Sequence, residues 1–275
     1  MNAGPGVPAL LALSLLLAAC AHAPQPAQGQ AVLPEEAAES AAENKLVLPR
    51  LELNEQMLYQ FMLADIAAQR GRQELAVQIY LDLARNTRDP RVARRAAQLA
   101  YESHQLKQAL EAFRLWQDVE PTSQLAKQML ATLLLSGGRL EDAQPQVANL
   151  LAADPENAGR ALMQLFPLFA RHPDKMAAYN TLRELARPYP QVAEAHWVVA
   201  QAAEAAARHD VALDEARKAR AVRPEWDMGA LLEAQLLLRE APQQALAVLK
   251  KYLADYPDAN EVRLFYARAL LEQRQ

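Results

Sequence analysis

The sequence predicts an all-α protein, a solenoid of about six helix pairs followed by one unpaired helix. The first observation behind this class is a repeat, because an alanine recurs at spacings of 33, 34, 35, 34 and 33 residues. The second is composition: the 275 residues contain only two Ile and four Thr, while Ala, Leu, Gln, Glu and Arg, which favour helices, dominate. The third is that a proline follows each of these alanines by about a dozen residues, where a helix must end.

The chain begins with an apolar run of about 11 residues, whereas a membrane-spanning helix takes roughly 20. A run of this size is typical of the hydrophobic part of a secretory signal peptide. It ends in the letters LAAC, which resemble the lipobox of bacterial lipoproteins, and Cys20 is the only cysteine in the chain. The resemblance implies a signal peptide over residues 1–19, cleavage before Cys20 and acylation of that residue.

A second cleavage site is open, because residues 21–23 read Ala-His-Ala and an ordinary signal peptidase that cuts after Ala23 would discard Cys20. By resemblance to Gram-negative lipoproteins, Ala21 after the cysteine implies sorting to the outer membrane, facing the periplasm. Residues 20–50 are rich in Pro, Gln, Ala and Glu and lack aromatic residues. They cannot bury enough apolar surface to fold, so we expect a disordered tether there.

The repeat continues from residue 51 to 275. Each unit carries one alanine early in its second helix, and all units but the fourth carry a small residue in their first helix. The alanines of the second helices are Ala76, Ala109, Ala143, Ala178, Ala212 and Ala245, and those of the first helices are Ala64, Ala97, Ala131, Ala200, Ala234 and Ala267. This pattern resembles the tetratricopeptide repeat (TPR), in which a helix A crosses a helix B closely at small residues. The resemblance implies an α-α superhelical TPR solenoid of about six helix pairs plus an unpaired final helix.

Local signals mark where the helices begin and end. The pairs Asp89-Pro90 and Asp154-Pro155 predict helix starts with an aspartate cap, and glycines predict the turns inside the pairs. The fourth unit departs from the pattern, because Pro167 lies inside its first helix and Phe166 replaces the small residue. The last helix lacks a partner, which predicts either a longer array or a partner protein that covers Leu270 and Leu271.

No catalytic constellation, phosphate loop or group of metal ligands appears, so we expect a protein that is not an enzyme and has no cofactor and no metal. The net charge of −4 does not favour nucleic-acid binding. Two stretches, ARNTRDPRVARR and RKARAVRP, concentrate arginine. Each has three interpretations: a solvated face interleaved with acids, a docking site for an acidic partner or a peptide carboxylate, or a contact with anionic lipid or cell-wall polymer.

In TPR proteins one face of the A helices lines a binding groove, and the resemblance carries that face onto this chain unit by unit. The predicted groove residues are Phe61, Asp65, Arg91, Arg94, Gln98, Tyr101, Gln128, Thr132, Glu194, Trp197, Gln201, Gln235 and Arg239. Their mixture of Gln, Arg and aromatic residues suits a peptide in an extended or helical form. The alternative is that these residues only keep the groove hydrated. Trp116, near the end of a B helix, is predicted to lie in the core.

The stretch LYQFMLADIAAQRGRQELAVQIYLDLARNTRDPRVARRAAQLA, behind a lipobox and a tether, resembles a group of proteobacterial outer-membrane TPR lipoproteins. These proteins are adaptors that bind a periplasmic carboxyl-terminal processing protease and bring it substrates such as cell-wall hydrolases. The resemblance implies a lipid-anchored, periplasm-facing adaptor with protein partners. The alternative is an assembly factor for an envelope complex, such as a pilotin or a subunit of an outer-membrane machine.

Overall fold

A computed structural model of the chain describes residues 48–273. The predicted signal peptide, the lipidation site at Cys20 and most of the predicted tether lie outside the described residues. Residues 48–273 consist of thirteen α-helices, one 3-10 turn (Pro155–Asn157) and connecting segments, with no β-strand. The A helices are α1 (Glu55–Gln69), α3 (Pro90–Glu102), α5 (Gln124–Ser136), α7 (Ala158–Arg171), α9 (Ala193–Ala205), α11 (Asp227–Leu237) and α13 (Asn260–Glu272). The B helices are α2 (Gln73–Thr87), α4 (Leu106–Val119), α6 (Leu140–Ala153), α8 (Lys175–Ala186), α10 (His209–Val222) and α12 (Pro242–Asp255).

Successive A and B helices pack against each other, and each pair also contacts the next one. The pairs α1–α2 to α11–α12 are called units 1 to 6, and α13 stands alone within the described range. This arrangement confirms the predicted solenoid of six pairs and a final helix. None of the helices in the described range combines the length and apolar character required to cross a bilayer.

The repeating alanines lie where the helices of a pair cross. All six B-helix alanines are buried, as are the A-helix alanines of units 1, 2, 3, 5 and 6. A methyl group lets two helix backbones approach closely, and the large side chains one turn away, such as the fully buried Phe113 and Leu182, fill the space beside the crossing. Ala267 occupies the same repeat position in α13 but is exposed, because no B helix follows α13 in the described chain. Trp116 is buried as predicted.

Helix starts follow the predicted caps with one correction. The carboxylate of Asp89 accepts a hydrogen bond from the backbone N–H of Arg91 at 2.9 Å and caps α3. Asp154 does not cap a helix, because residues 155–157 form a 3-10 turn and α7 begins only at Ala158. The Asp154 carboxylate instead accepts a hydrogen bond from the side-chain amide of Asn157 at 2.9 Å.

The turn inside a unit uses a left-handed backbone conformation. Gly71 and Gly138 have φ of 73° and 69° there, which glycine adopts without steric cost. His104 and Ala207 occupy the equivalent turns of units 2 and 5 with φ of 55° and 56°. Glycine is thus replaced in these two turns by residues that pay a steric penalty in this region.

Unit 4 departs from its neighbours, as the sequence predicts. Pro167 lies inside α7, which nevertheless continues to Arg171. The bulky Phe166 stands where the other A helices have alanine, and α7 contacts its own partner α8 less than it contacts α9. The A and B helices of this unit therefore pack less closely than those of the other units.

Candidate partner-binding face on the A helices

Each A helix buries one side in the solenoid and leaves the other at the surface. We call the surface residues of α1, α3, α5, α7, α9 and α11, with the residues that directly flank these helices, the A-face. All thirteen predicted groove residues lie on the A-face and none is buried. Asp65, Arg91, Gln128, Gln235 and Arg239 are exposed, and the other eight are partly exposed.

In unit 1, two predicted residues are tied to the neighbouring B helix. The hydroxyl of Tyr80 donates a hydrogen bond to the carboxylate of Asp65 at 2.6 Å, and Phe61 meets the Tyr80 ring edge-on at 6.2 Å between centroids. Burial, reinforced by the Asp65 carboxylate, raises the pKa of Tyr80 to about 12. Tyr80 therefore keeps its proton at neutral pH and holds α1 against α2.

A cavity of about 370 Å³ opens on the A-face of units 1 and 2. Phe61 and Arg91, both predicted, line it together with Met57 on α1. Another wall is formed by Pro49 and residues 51–53, which the repeat pattern could not indicate because this segment precedes the first unit. The cavity gives the A-face a recess with mixed walls, in which apolar side chains alternate with the Arg91 guanidinium and the carboxylates of Glu52 and Asp89.

The arginines of α3 have local partners. The Arg91 guanidinium binds the Asp89 carboxylate, with Nη2 at 2.7 Å and Nε at 3.1 Å, and this contact holds the pKa of Asp89 below its ordinary value. Arg94 lies over the Trp116 ring at 5.9 Å. Arg85, on α2, pairs with Asp82 and with Glu111 of α4. This part of the first basic cluster is therefore interleaved with acids and aromatic residues.

Three aromatic side chains follow one another across units 4 to 6. Phe166 on α7 meets Trp197 on α9 edge-on at 5.5 Å, and Trp197 lies 6.4 Å from Trp226, the residue before α11. All three are partly exposed, and we call them the aromatic row. Trp197 is among the groove residues predicted from the sequence, but Phe166 and Trp226 are not. Their place in or directly before an A helix was the signal that could have found them.

An ion pair supports the aromatic row from one side. The guanidinium of Arg223 donates to both carboxylate oxygens of Glu194, at 2.8 and 3.0 Å, and stacks over the Trp226 ring at 5.2 Å. Glu194 also packs against the backbone of α7, where a Cβ on Gly159 would lie 2.8 Å from its Oε2 atom. Glu194, predicted as a groove residue, therefore connects units 4 and 5 to the start of unit 6.

The second basic cluster is paired with acids throughout. Arg217 and Arg220 on α10 contact the carboxylate of Glu233 on α11 at 3.4 and 2.5 Å, and Glu233 is buried. Lys218 binds two carboxylates of its own helix at 2.7 and 2.8 Å. A buried carboxylate needs such partners because desolvation disfavours its charge. Arg217 and Arg220 thus hold units 5 and 6 together, and all of these pairs support the interpretation of this cluster as a face interleaved with acids.

His196 connects three segments around unit 5. Its Nδ1 atom lies 2.6 Å from the Glu215 carboxylate on α10, and its Nε2 atom lies 3.0 Å from the carbonyl oxygen of Pro190. Both neighbours only accept hydrogen bonds, so the geometry fits an imidazolium that donates from both nitrogens. The hydrogen bond with Glu215 raises the pKa of His196 above its ordinary value, while burial and, to a smaller extent, the charge of Lys218 oppose this increase.

The remaining predicted residues differ in their contacts. Gln201 lines a small recess beside Phe166. Arg239 lies 3.4 Å from the Glu204 carboxylate. Within the described chain, seven predicted residues make no side-chain hydrogen bond and can form one with a ligand: Gln98, Tyr101, Gln128, Thr132, Trp197, Gln201 and Gln235. In residues 48–273 no three His, Cys, Asp or Glu side chains are grouped to hold a metal ion.

No protein-family model matches the chain. A TPR repeat-containing protein of Pseudomonas aeruginosa is 27% identical over 217 residues, which is 78% of this chain. The chain spans about a third of that relative's length, 36%. The C-terminal part of a TPR repeat-containing protein of Cytophaga hutchinsonii aligns with 78% of this chain and 89% of its own, at 17% identity and a TM-score of 0.45. PilW, a type IV pilus biogenesis factor, aligns with 78% and 99% at 17% identity and a TM-score of 0.40.

Because both TM-scores are below 0.5, we assign the fold from the repeat in this chain and not from these neighbours. That repeat has a period of about 34 residues, a small residue at each buried crossing and six consecutive helix pairs. A pair of helices cannot bury its apolar side alone, so stacking of successive pairs is the arrangement that such a sequence requires. The chain folds as a tetratricopeptide-repeat solenoid.

Proposed function

We propose that this protein is a non-catalytic adaptor that binds other proteins along its A-face and is held at the periplasmic side of the outer membrane by a lipid on Cys20. The observation that carries the binding role is the A-face itself. Five A helices with their flanking residues, all but α7, carry the thirteen predicted residues, which are mostly Gln, Arg and aromatic side chains, and none of the thirteen is buried. Aromatic and arginine side chains are frequent anchors of protein interfaces.

Rigid helix crossings support this role. In units 1, 2, 3, 5 and 6 the alanines of both helices are buried at the crossing, so the A helix is closely packed on its B helix before a partner binds. A preformed surface loses little conformational entropy on binding, so more of the interaction energy remains as affinity. The side chains of Gln98, Gln128 and Gln235 are free of internal hydrogen bonds in the described chain and can pair with a peptide backbone.

A lipid anchor adds a concentration effect. An acylated Cys20 with a tether over residues 20–50 would confine the solenoid to a thin layer at the membrane, and two partners on one solenoid would meet at high effective concentration. Following the resemblance to the adaptor lipoproteins, we propose that these partners are a carboxyl-terminal processing protease and the cell-wall hydrolases that it cleaves.

The test is crosslinking in intact envelopes, followed by purification of the full chain and mass spectrometry of the captured proteins. An A-face variant carries Gln128→Glu and Gln235→Glu, which add negative charge on α5 and α11. A matched control carries Asn149→Glu and Asn180→Glu on the exposed sides of α6 and α8.

We expect the A-face variant to lose its partners and the control to retain them, while both keep the helical content of the unmodified protein. Equal capture by the two variants would contradict binding along the A-face. Capture of pilus or secretin components, in place of a protease and its substrates, would support the assembly-factor alternative.

A further inference from the structure

Charge is segregated among the A helices. The helices α3, α5 and α7 together carry six Lys or Arg residues and one carboxylate. The helices α1, α9 and α11 carry two carboxylates each and no Lys or Arg. Since the whole chain has a net charge of −4, this central positive surface is opposite in sign to the protein as a whole. We call it the cationic A-face; its basic residues are Arg91, Arg94, Arg95, Lys127, Arg160 and Arg171.

Part of this charge is not neutralised within the protein. Arg160 and Arg171, at the two ends of α7, are exposed, and among the described residues neither has a carboxylate within 4.0 Å. Arg91 is bound to Asp89, yet its side chain remains 65% exposed. The arginines of α10 differ, because each of them already has an acidic partner. The α7 cations therefore differ from those of the second basic cluster in having no acidic partner within residues 48–273.

The cationic A-face meets the aromatic row at α7. Phe166 lies on the same helix as Arg160 and Arg171 and contacts Trp197 of the next unit. Between the cations lie Gln98, Gln128 and Thr132, whose side chains both donate and accept hydrogen bonds. A peptide backbone offers both kinds of partner, whereas the phosphate group of a lipid offers only acceptors. The surface therefore combines cations, amide partners and an apolar anchor site.

We propose that the cationic A-face of units 2 to 4 binds an acidic polypeptide segment of a partner protein, and that a large apolar side chain of this segment reaches the aromatic row. This inference rests on the proposed adaptor function and names the chemistry that the partner must present. Opposite charge would guide the encounter, and the aromatic contact would slow dissociation.

The test uses the purified full chain and a synthetic fluorescent peptide of Asp and Glu with a single Trp near one end. Two control peptides replace either the acids by Gln and Asn or the Trp by Ala. Binding is measured by fluorescence anisotropy. Raising the salt concentration from about 0.1 M to about 1 M shortens the Debye length from about 10 Å to about 3 Å and should weaken binding of the acidic peptide.

The decisive variant is Arg160→Glu with Arg171→Glu. Its matched control is Lys107→Glu with Arg114→Glu, which makes the same change in net charge on exposed residues of α4. We expect the α7 variant to lose about tenfold in affinity, equivalent to about 1.4 kcal/mol, and the α4 variant to bind like the unmodified chain. Circular dichroism and thermal melting verify that both variants fold.

Three results would overturn the proposal: equal weakening by both variants, equal binding of the neutral peptide, or binding of phosphatidylglycerol vesicles, and not of the peptide, through the α7 arginines. A fourth result would also overturn it: the peptide binds only after Glu35, Glu36, Glu39 and Glu43 are changed to Gln. The occupant of the surface would then be the chain's own acidic segment and not a partner protein. If the peptide fails while envelope capture still depends on Gln128 and Gln235, this inference is wrong and the adaptor proposal stands.

Discussion

Ala234 and Ala267 occupy the same repeat position 33 residues apart, and their different surroundings give a controlled test of the fold. Ala234 on α11 is 0% exposed, and the α12 alanine of the same unit, Ala245, is also 0% exposed. Ala267 on α13 is exposed. We therefore expect Ala234→Leu to destabilise the protein and Ala267→Leu to be neutral.

The size of the effect follows from packing. Leucine would place three further carbon atoms in a crossing that has no free surface, and overpacking of this kind costs about 1–3 kcal/mol. An exposed substitution usually changes stability by less than about 0.5 kcal/mol. With a urea dependence of about 2 kcal/mol per molar, a loss of about 2 kcal/mol lowers the unfolding midpoint by about 1 M.

The assay is urea unfolding followed by tryptophan fluorescence. Trp226 directly precedes α11 and reports on unit 6, which matters because units of a solenoid can unfold separately. The register of the repeat would be refuted if Ala234→Leu left the midpoint unchanged, or if Ala267→Leu lowered it by as much as Ala234→Leu does.

Three further predictions follow from the turn of unit 5, from His196 and from the anchor. Ala207→Gly should stabilise the protein by about 0.5–1 kcal/mol in thermal melting. The left-handed backbone costs an alanine about 1–2 kcal/mol, which glycine avoids, but glycine also raises the conformational entropy of the unfolded chain and so offsets part of this gain. His196 has a raised pKa because of Glu215, so its stabilisation is complete below the ordinary value of about 6.5 and is lost as pH rises through the folded-state pKa. The stability difference between the unmodified protein and His196→Ala should therefore shrink with rising pH, and a constant difference would exclude the imidazolium. Cys20→Ala should release the protein from the outer-membrane fraction, whereas unchanged fractionation would favour cleavage after Ala23.

The architecture could be predicted from the sequence because the contacts within a unit repeat. Every unit must place a small residue at its crossing and a breaker at its end, so the period shows directly in the letters. The exception at Asp154 shows the limit of local signals: an aspartate before a proline fits both a helix cap and the 3-10 turn that forms here. Spacing along the chain does not distinguish the two.

The contacts between units were less predictable, because they use residues that do not repeat. Glu233 looks like an ordinary helical carboxylate, yet Arg217 and Arg220 of the preceding helix make its burial possible. Trp226 looks like a residue of a loop, and only the packing of units 5 and 6 places it beside Trp197. No pattern within one unit encodes such pairs, since each partner lies in a different unit.

The difference between repeating and non-repeating residues explains how the solenoid combines a general fold with a specific surface. The repeating alanines make the units alike, so they cannot distinguish one partner from another. The non-repeating residues of units 4 to 6 both fix one unit on the next, through Glu194 and Arg223, and form the aromatic row. The single variants Glu194→Arg and Arg223→Glu should each lose stability, and the double variant that exchanges the two residues should regain it. For this partly exposed pair we expect a coupling energy of up to about 1 kcal/mol. Partner capture should return together with stability in the double variant. A double variant that regains stability but not capture would show that the ion pair contacts the partner directly.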